Sequence, residues 1–197
     1  MPGWVIEYGD LRRREPWEDV SAPPSIRTAA IAAPPPRVYA VAVAGKWPRP
    51  ENVEAIRRAV DAIPPRFLRA WIASGGRLEI VPGSNASIHP RFSSSKPALG
   101  WTKFGTAFCV VAGDHADSSL TATHELGHAL DFALRYPSHS AAWMRIWQAD
   151  VAAGKVSAYT GQRDQAAEYF AEQFGNLWHP DIFIVSKAAQ DFIMQLV

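Results

Sequence analysis

The chain has a single cysteine, Cys109, among its 197 residues. No internal disulfide can form, which excludes a disulfide-stapled scaffold. Cys109 sits in the apolar run TAFCVVA, where a buried, unreactive thiol is expected. Charge of one sign is also lacking: the formal net charge is +1, which argues against nucleic acid or an acidic membrane as the partner. The one basic run, Arg12–Arg13–Arg14, is followed closely by Glu15, Glu18 and Asp19 and reads as a solvated segment. No apolar stretch is long enough for a signal peptide or a bilayer span. Cytoplasmic residence is therefore the default expectation, with export by a dedicated route as the alternative.

What is present is an apolar fraction of 48%, enough for one globular domain with a real core. Residues 1–36 are polar, charged and proline-bearing, ending in SAPPSIRTAAIAAPPPRV, and read as a proline-rich tail or arm. Residues 37–197 form the expected domain. Strands are predicted at RVYAVAVAG (37–45), RLEIVPG and FGTAFCVVAG (104–113). PENVEAIRRAVDAI places Val53, Ile56, Val60 and Ile63 at helical spacing behind Pro50, and PRFLRAWIASGG reads as a second helix. The polar loop SNASIHPRFSSSKPA is long for a compact domain. Helices then dominate, at about 118–135, 140–153, 164–178 and 186–197. Strands early and helices late give an α+β class, a small mixed sheet packed on a helical half.

The chemistry is concentrated in THELGHALD, from Thr123 to Asp131. On a helix with His124 set at 0°, His128 falls at about 40° and Asp131 at about −20°. Glu125 lies beside this strip, while Ala122, Leu126, Ala129, Leu130 and Ala133 form an aliphatic back. Two imidazoles one turn apart can reach a single first-row metal ion without bending the helix. The adjacent Glu125 is placed to take a proton from water activated by that metal, the zincin pattern H-E-x-x-H. Composition alone yields this pattern in roughly 1% of such chains, so a third ligand is required for the reading.

AAEYFAEQF supplies the candidate. Glu168 and Glu172 share one helical strip, and Ala166, Phe170, Phe174 and Leu177 share the opposite one. By itself this describes a surface helix with solvated acids equally well. Paired with the imidazole helix, it brings a carboxylate to a three-ligand site with one position open for water, the composition of catalytic zinc. His89, His115, His139 and His179 have no metal spacing and read as surface or loop residues, with His115 and His179 near enough in sequence to support the site from outside.

HELGHALD followed some forty positions later by EYFAEQF resembles the gluzincin-type zinc metallopeptidases, in particular the anthrax lethal factor catalytic domain and the Pro-Pro endopeptidases. The resemblance covers residues 99–174 and is specific at the two motifs. It implies one Zn²⁺ per chain on His124, His128 and Glu168, with Glu125 as general base. It implies that Glu172 holds a histidine or the third ligand in place, with Asp131 a further supporting acid on the histidine strip. It also implies a tyrosine that donates to the oxyanion; Tyr159 is the candidate, although it stands about two residues further from the third ligand than in the family. Tyr169 reads as packing.

In these relatives the strand before the metal helix is a sheet edge that pairs with extended substrate, a role falling here on FGTAFCVVAG, including Gly105 and Thr106. Trp101 corresponds to a tryptophan beside the cleft, with a packing role as the alternative. The implied function is a zinc-dependent endopeptidase, monomeric, acting on a peptide or protein at proline-containing sites. The proline-rich arm is read as a linker, with self-cleavage as an alternative. Two other readings stay open: a zinc hydrolase of a non-peptide amide, and a binding module with a vestigial zinc site.

Overall fold

The computed structural model describes the strands at residues 4–7 and 10–13 and then residues 38–91, 97–157, 165–179 and 185–197. The chain divides into two units, Met1–Ala32 and Ala33–Val197. In the first, β1 (Trp4–Glu7) and β2 (Asp10–Arg13) pair antiparallel, Trp4 opposite Arg13 and Glu7 opposite Asp10. This hairpin lies within the segment expected to be an extended arm.

The second unit is α+β. Its sheet contains β3 (Val38–Ala40), β4 (Arg77–Val81), β5 (Gly100–Thr102) and β6 (Phe108–Ala112) in the order β3–β4–β6–β5. β3, β4 and β6 run parallel, and β5 returns antiparallel to β6. The helices are α1 (Pro50–Asp61), α2 (Pro65–Ala73), α3 (Ser118–Ala133), α4 (Ala141–Ala152), α5 (Ala166–Asn176) and α6 (Lys187–Met194).

Local chemistry accounts for several of these boundaries. α1 and α2 each open on proline, whose missing N–H is not needed in a first turn. The Ser140 hydroxyl caps α4 by accepting from the Trp143 N–H at 3.2 Å. Between β5 and β6 the Thr106 N–H donates to the Lys103 carbonyl at 3.1 Å. Gly105 sits at the third position of that turn with φ +69°, a left-handed value that favours glycine.

The main core lies on one face of the sheet. Leu78, Ile80, Cys109 and Val111 point into it from the strands, joined by Ile56, Val60, Phe67, Trp71, Leu126, Leu130, Trp143, Phe170 and Phe174. Burying each large side chain contributes about 1.5–3 kcal/mol. The apolar backs expected for α1, α3 and α5 are buried here, with Ala133 and Leu177 only partly covered. A smaller cluster covers the opposite face: Val81, Ala86, Trp101, Val110 and Ala112.

Two sequence expectations need correction. The stretch 104–113 is not a sheet edge, because β6 is bracketed by β4 and β5. The edge nearer α3 is the three-residue β5, and residues 103–107 are the turn leading out of it. Among the described residues, the strand expected over 37–45 is regular only for Val38–Ala40, after which Val43 and Lys46 close a tight turn.

Candidate metal centre

α3 and α5 approach each other closely because small residues face each other across their contact. A Cβ on Gly127 would stand 2.7 Å from the Ala171 Cα, and one on Gly175 would stand 3.1 Å from the His124 main-chain nitrogen. This crossing brings the first acid of α5 to the imidazoles of α3. Glu168 Oε2 lies 3.3 Å from His124 Nε2 and 3.2 Å from His128 Nε2. The two imidazole rings meet edge-on, with centroids 4.9 Å apart. All three side chains are partly exposed, at 22%, 16% and 18%, so the cluster opens to solvent.

The donor set fits a first-row cation. The ligand atoms of His124, His128 and Glu168 all lie within 4.8 Å of one another. Tetrahedral zinc with bonds of about 2.0–2.1 Å spaces its ligand atoms roughly 3.3 Å apart, which the two carboxylate–imidazole distances match. Among the described residues this is the one such trio of metal-binding side chains. Without a cation the same atoms form an ion pair. Burial alone would push the His128 imidazole down, but the Glu168 carboxylate holds it up at about 9. Burial likewise pushes Glu168 up, and the two imidazoles overcome it, holding its carboxyl well below the usual range.

Glu125 points from α3 toward β5 and is buried, 3% exposed. Its Oε2 accepts from the Thr102 hydroxyl at 2.7 Å. Burial raises its carboxyl pKa, opposed by the charges of His128 and His124 and by the Thr102 hydrogen bond. Gly100 leaves the room this side chain occupies: a Cβ there would lie 2.7 Å from Glu125 Cγ and 2.8 Å from its Oε1. Neither Gly100 nor Thr102 was singled out in the sequence. A three-residue strand shows no usable alternation, and only the pairing with β6 reveals which way its side chains turn.

The remaining expected residues fall as follows. Asp131 is on α3 as expected, but its carboxylate accepts from the Ser138 N–H at 2.9 Å and the Ser138 hydroxyl at 2.6 Å. It pins the turn after the helix and reaches His128 only as a nearby charge. Glu172 accepts from the Ser157 hydroxyl at 2.9 Å. Tyr159 lies outside the described residues. Tyr169 is fully buried and donates to Asp150 at 2.8 Å, a packing role.

Of the two readings of Trp101, cleft tryptophan or packing residue, its burial favours packing. It is 3% exposed on the sheet face opposite α3, packed edge-on to Phe108 with centroids 5.5 Å apart, and its indole N–H reaches the Ala86 carbonyl at 3.3 Å. Gly105 and Thr106 shape the β5–β6 turn, where the Thr106 hydroxyl donates to the Lys103 carbonyl at 2.7 Å. His89 is not a surface residue either. It is buried on the same face as Trp101, with Nε2 2.7 Å from Glu79 Oε2 and Nδ1 accepting from the Arg91 N–H at 3.2 Å. Nothing local in the sequence pairs two residues ten positions apart across a loop.

No protein-family model matches the chain, and no curated protein matches it. Among solved structures, the fold is similar to that of the Pro-Pro endopeptidase PPEP-2 from Paenibacillus alvei, with a TM-score of 0.55 and 19% sequence identity. The match covers 82% of this chain and 97% of that one.

Proposed function

We propose that this protein is a metal-dependent endopeptidase that uses zinc and cleaves peptides at proline-containing sites. The observation that carries the reading is the meeting of Glu168 with His124 and His128 beside the buried acid Glu125. The fold shared with a Pro-Pro endopeptidase supports peptide as the substrate and proline as the preference.

His124, His128 and Glu168 would hold the cation. A divalent cation there supplies Lewis acidity, polarising the scissile carbonyl and making water a stronger acid. Glu125 takes the proton of the attacking water and returns it to the leaving nitrogen as the tetrahedral centre collapses. Its burial favours this exchange, because a carboxylate drawn out of bulk water is a stronger base. Tyr159 is the proposed donor to the developing oxyanion. A purely structural metal site has no use for a second acid, not a ligand, at the position of Glu125, which favours catalysis over a vestigial site.

The substrate is proposed to add as a strand along β5. Among the described residues β5 has one neighbour, β6. Leu99 accepts from Ala112 and Lys103 donates to Phe108, and antiparallel pairing alternates. The main-chain groups of Gly100 and Thr102 therefore face the free edge, while the Thr102 side chain turns to Glu125. A peptide paired there lies against the general base.

The test is a peptide library containing Xaa-Pro-Pro sequences, cleaved by the wild type and by Glu125→Gln. Expected are equal metal stoichiometry in the two proteins and a rate lower by about 10²–10⁴-fold in the variant. A Glu125→Gln protein cleaving at the wild-type rate contradicts the proposal.

A further inference from the structure

Resting on that reading, we propose that Thr102 is the positioning residue of the general base, its hydroxyl locking the Glu125 carboxylate against β5 with Gly100 as the matching gap. The Thr102 Oγ1 lies 2.7 Å from Glu125 Oε2, 2.9 Å from the Glu125 carbonyl and 3.5 Å from Cys109 Sγ. A hydroxyl has one proton to give, so these three contacts compete. The Glu125 carbonyl already receives the helical N–H four residues on and the Cys109 thiol at 3.4 Å. The carboxylate is the nearest and the only charged acceptor, and it takes the Thr102 proton.

Nothing else among the described residues donates to that carboxylate, although Glu125 is buried. A buried acid with one fixed donor is oriented by it. Oε2 is tied to Thr102, and Oε1 lies in the space that a side chain at Gly100 would fill. Cys109, buried and with its thiol pKa driven far up by burial, completes the network as a weak donor and not as a nucleophile. The arrangement also places the positioning hydroxyl on the strand proposed to receive substrate. The base and the peptide are thereby referred to the same three residues.

Thr102→Val keeps shape and strand propensity and removes the hydroxyl, while Thr102→Ser keeps the hydroxyl. Two readouts decide the matter. The first is crystallographic: in Thr102→Val the Glu125 carboxylate is expected to leave its position while His124, His128 and Glu168 stay. An unmoved carboxylate overturns the proposal, and this arm reads correctly even if the wild type cleaves no peptide and the functional reading fails. The second is kinetic. The loss of a hydrogen bond to a charged group is expected to lower kcat about tenfold to a hundredfold, with KM within about twofold, and Thr102→Ser is expected to restore kcat. A valine variant with wild-type kcat, or a serine variant as slow as valine, overturns it. If Thr102→Val fails to fold, Thr102→Ala takes its place in the crystallographic arm, and a carboxylate that stays put there has the same adverse meaning.

Discussion

Gly127 on α3 and Ala171 on α5 touch backbone to backbone: a Cβ on the glycine would stand 2.7 Å from the alanine Cα. Glu168 is one helical turn before Ala171, and His128 directly follows Gly127. The helix spacing at this point therefore sets the distance between carboxylate and imidazole.

Gly127→Ala tests this dependence. In an ordinary helix interior the substitution gains about 1 kcal/mol. Here the methyl group meets main chain, which cannot yield as a side chain can, and overpacking of this kind costs about 1–3 kcal/mol. The variant is expected to have a lower melting temperature and to bind zinc more weakly, measured by thermal unfolding and by metal titration. A more stable variant with undiminished zinc affinity would show that the crossing has slack.

Asp131 offers a test of the frame around the site. Arg135 and Tyr136 both have positive φ, 65° and 60°, values that strain non-glycine residues. The Asp131 carboxylate holds the segment just after them by two bonds to Ser138. Asp131→Ala leaves both donors unsatisfied in a buried position, which costs about 1–3 kcal/mol. At about 2–4 °C per kcal/mol for a domain of this size, calorimetry should register a clear fall in Tm.

A pH-dependent contribution is expected from Asp114. Burial alone would raise its pKa, but the N–H groups of Gly83 and Arg49, at 2.7 and 2.9 Å, and the Arg49 charge outweigh it and hold the carboxyl below its ordinary value. A depressed folded-state pKa stabilises above the unfolded value and is lost as pH falls through the folded one. Asp114→Asn is therefore expected to be less stable than wild type at neutral pH, with the gap closing below about pH 4. Denaturant melts at several pH values measure the gap; a difference independent of pH would assign the effect to shape and not to charge.

Tyr159→Phe addresses the proposed oxyanion donor. Removal of one such donor lowers kcat by about 10²–10³-fold, and zinc content should not change. A variant with normal turnover would move the role to another group.

The helices were legible because each carries its own evidence. Val53, Ile56 and Val60 recur at helical spacing and are buried, and His124 and His128 share a strip on which Leu126 and Leu130 are absent. The meeting of His124, His128 and Glu168 was legible for the same reason, since each helix shows its polar front locally. What the sequence hid was non-local. The order of β6 and β5 in the sheet follows from packing, so the edge fell on Gly100–Thr102 and not on the longer, more apolar strand. Alternation along β5 then turned Trp101 away from α3 and Thr102 toward it. The buried pair of His89 and Glu79 joins a loop to a strand, and no periodicity announces it.

The most direct measurement is a crystal structure of the protein loaded with one equivalent of zinc, with anomalous data collected at the zinc edge. One peak is expected, bonded at about 2.0–2.2 Å to His124 Nε2, His128 Nε2 and a Glu168 carboxylate oxygen. A zinc ion bound elsewhere, with these three side chains left uncoordinated, would contradict the account.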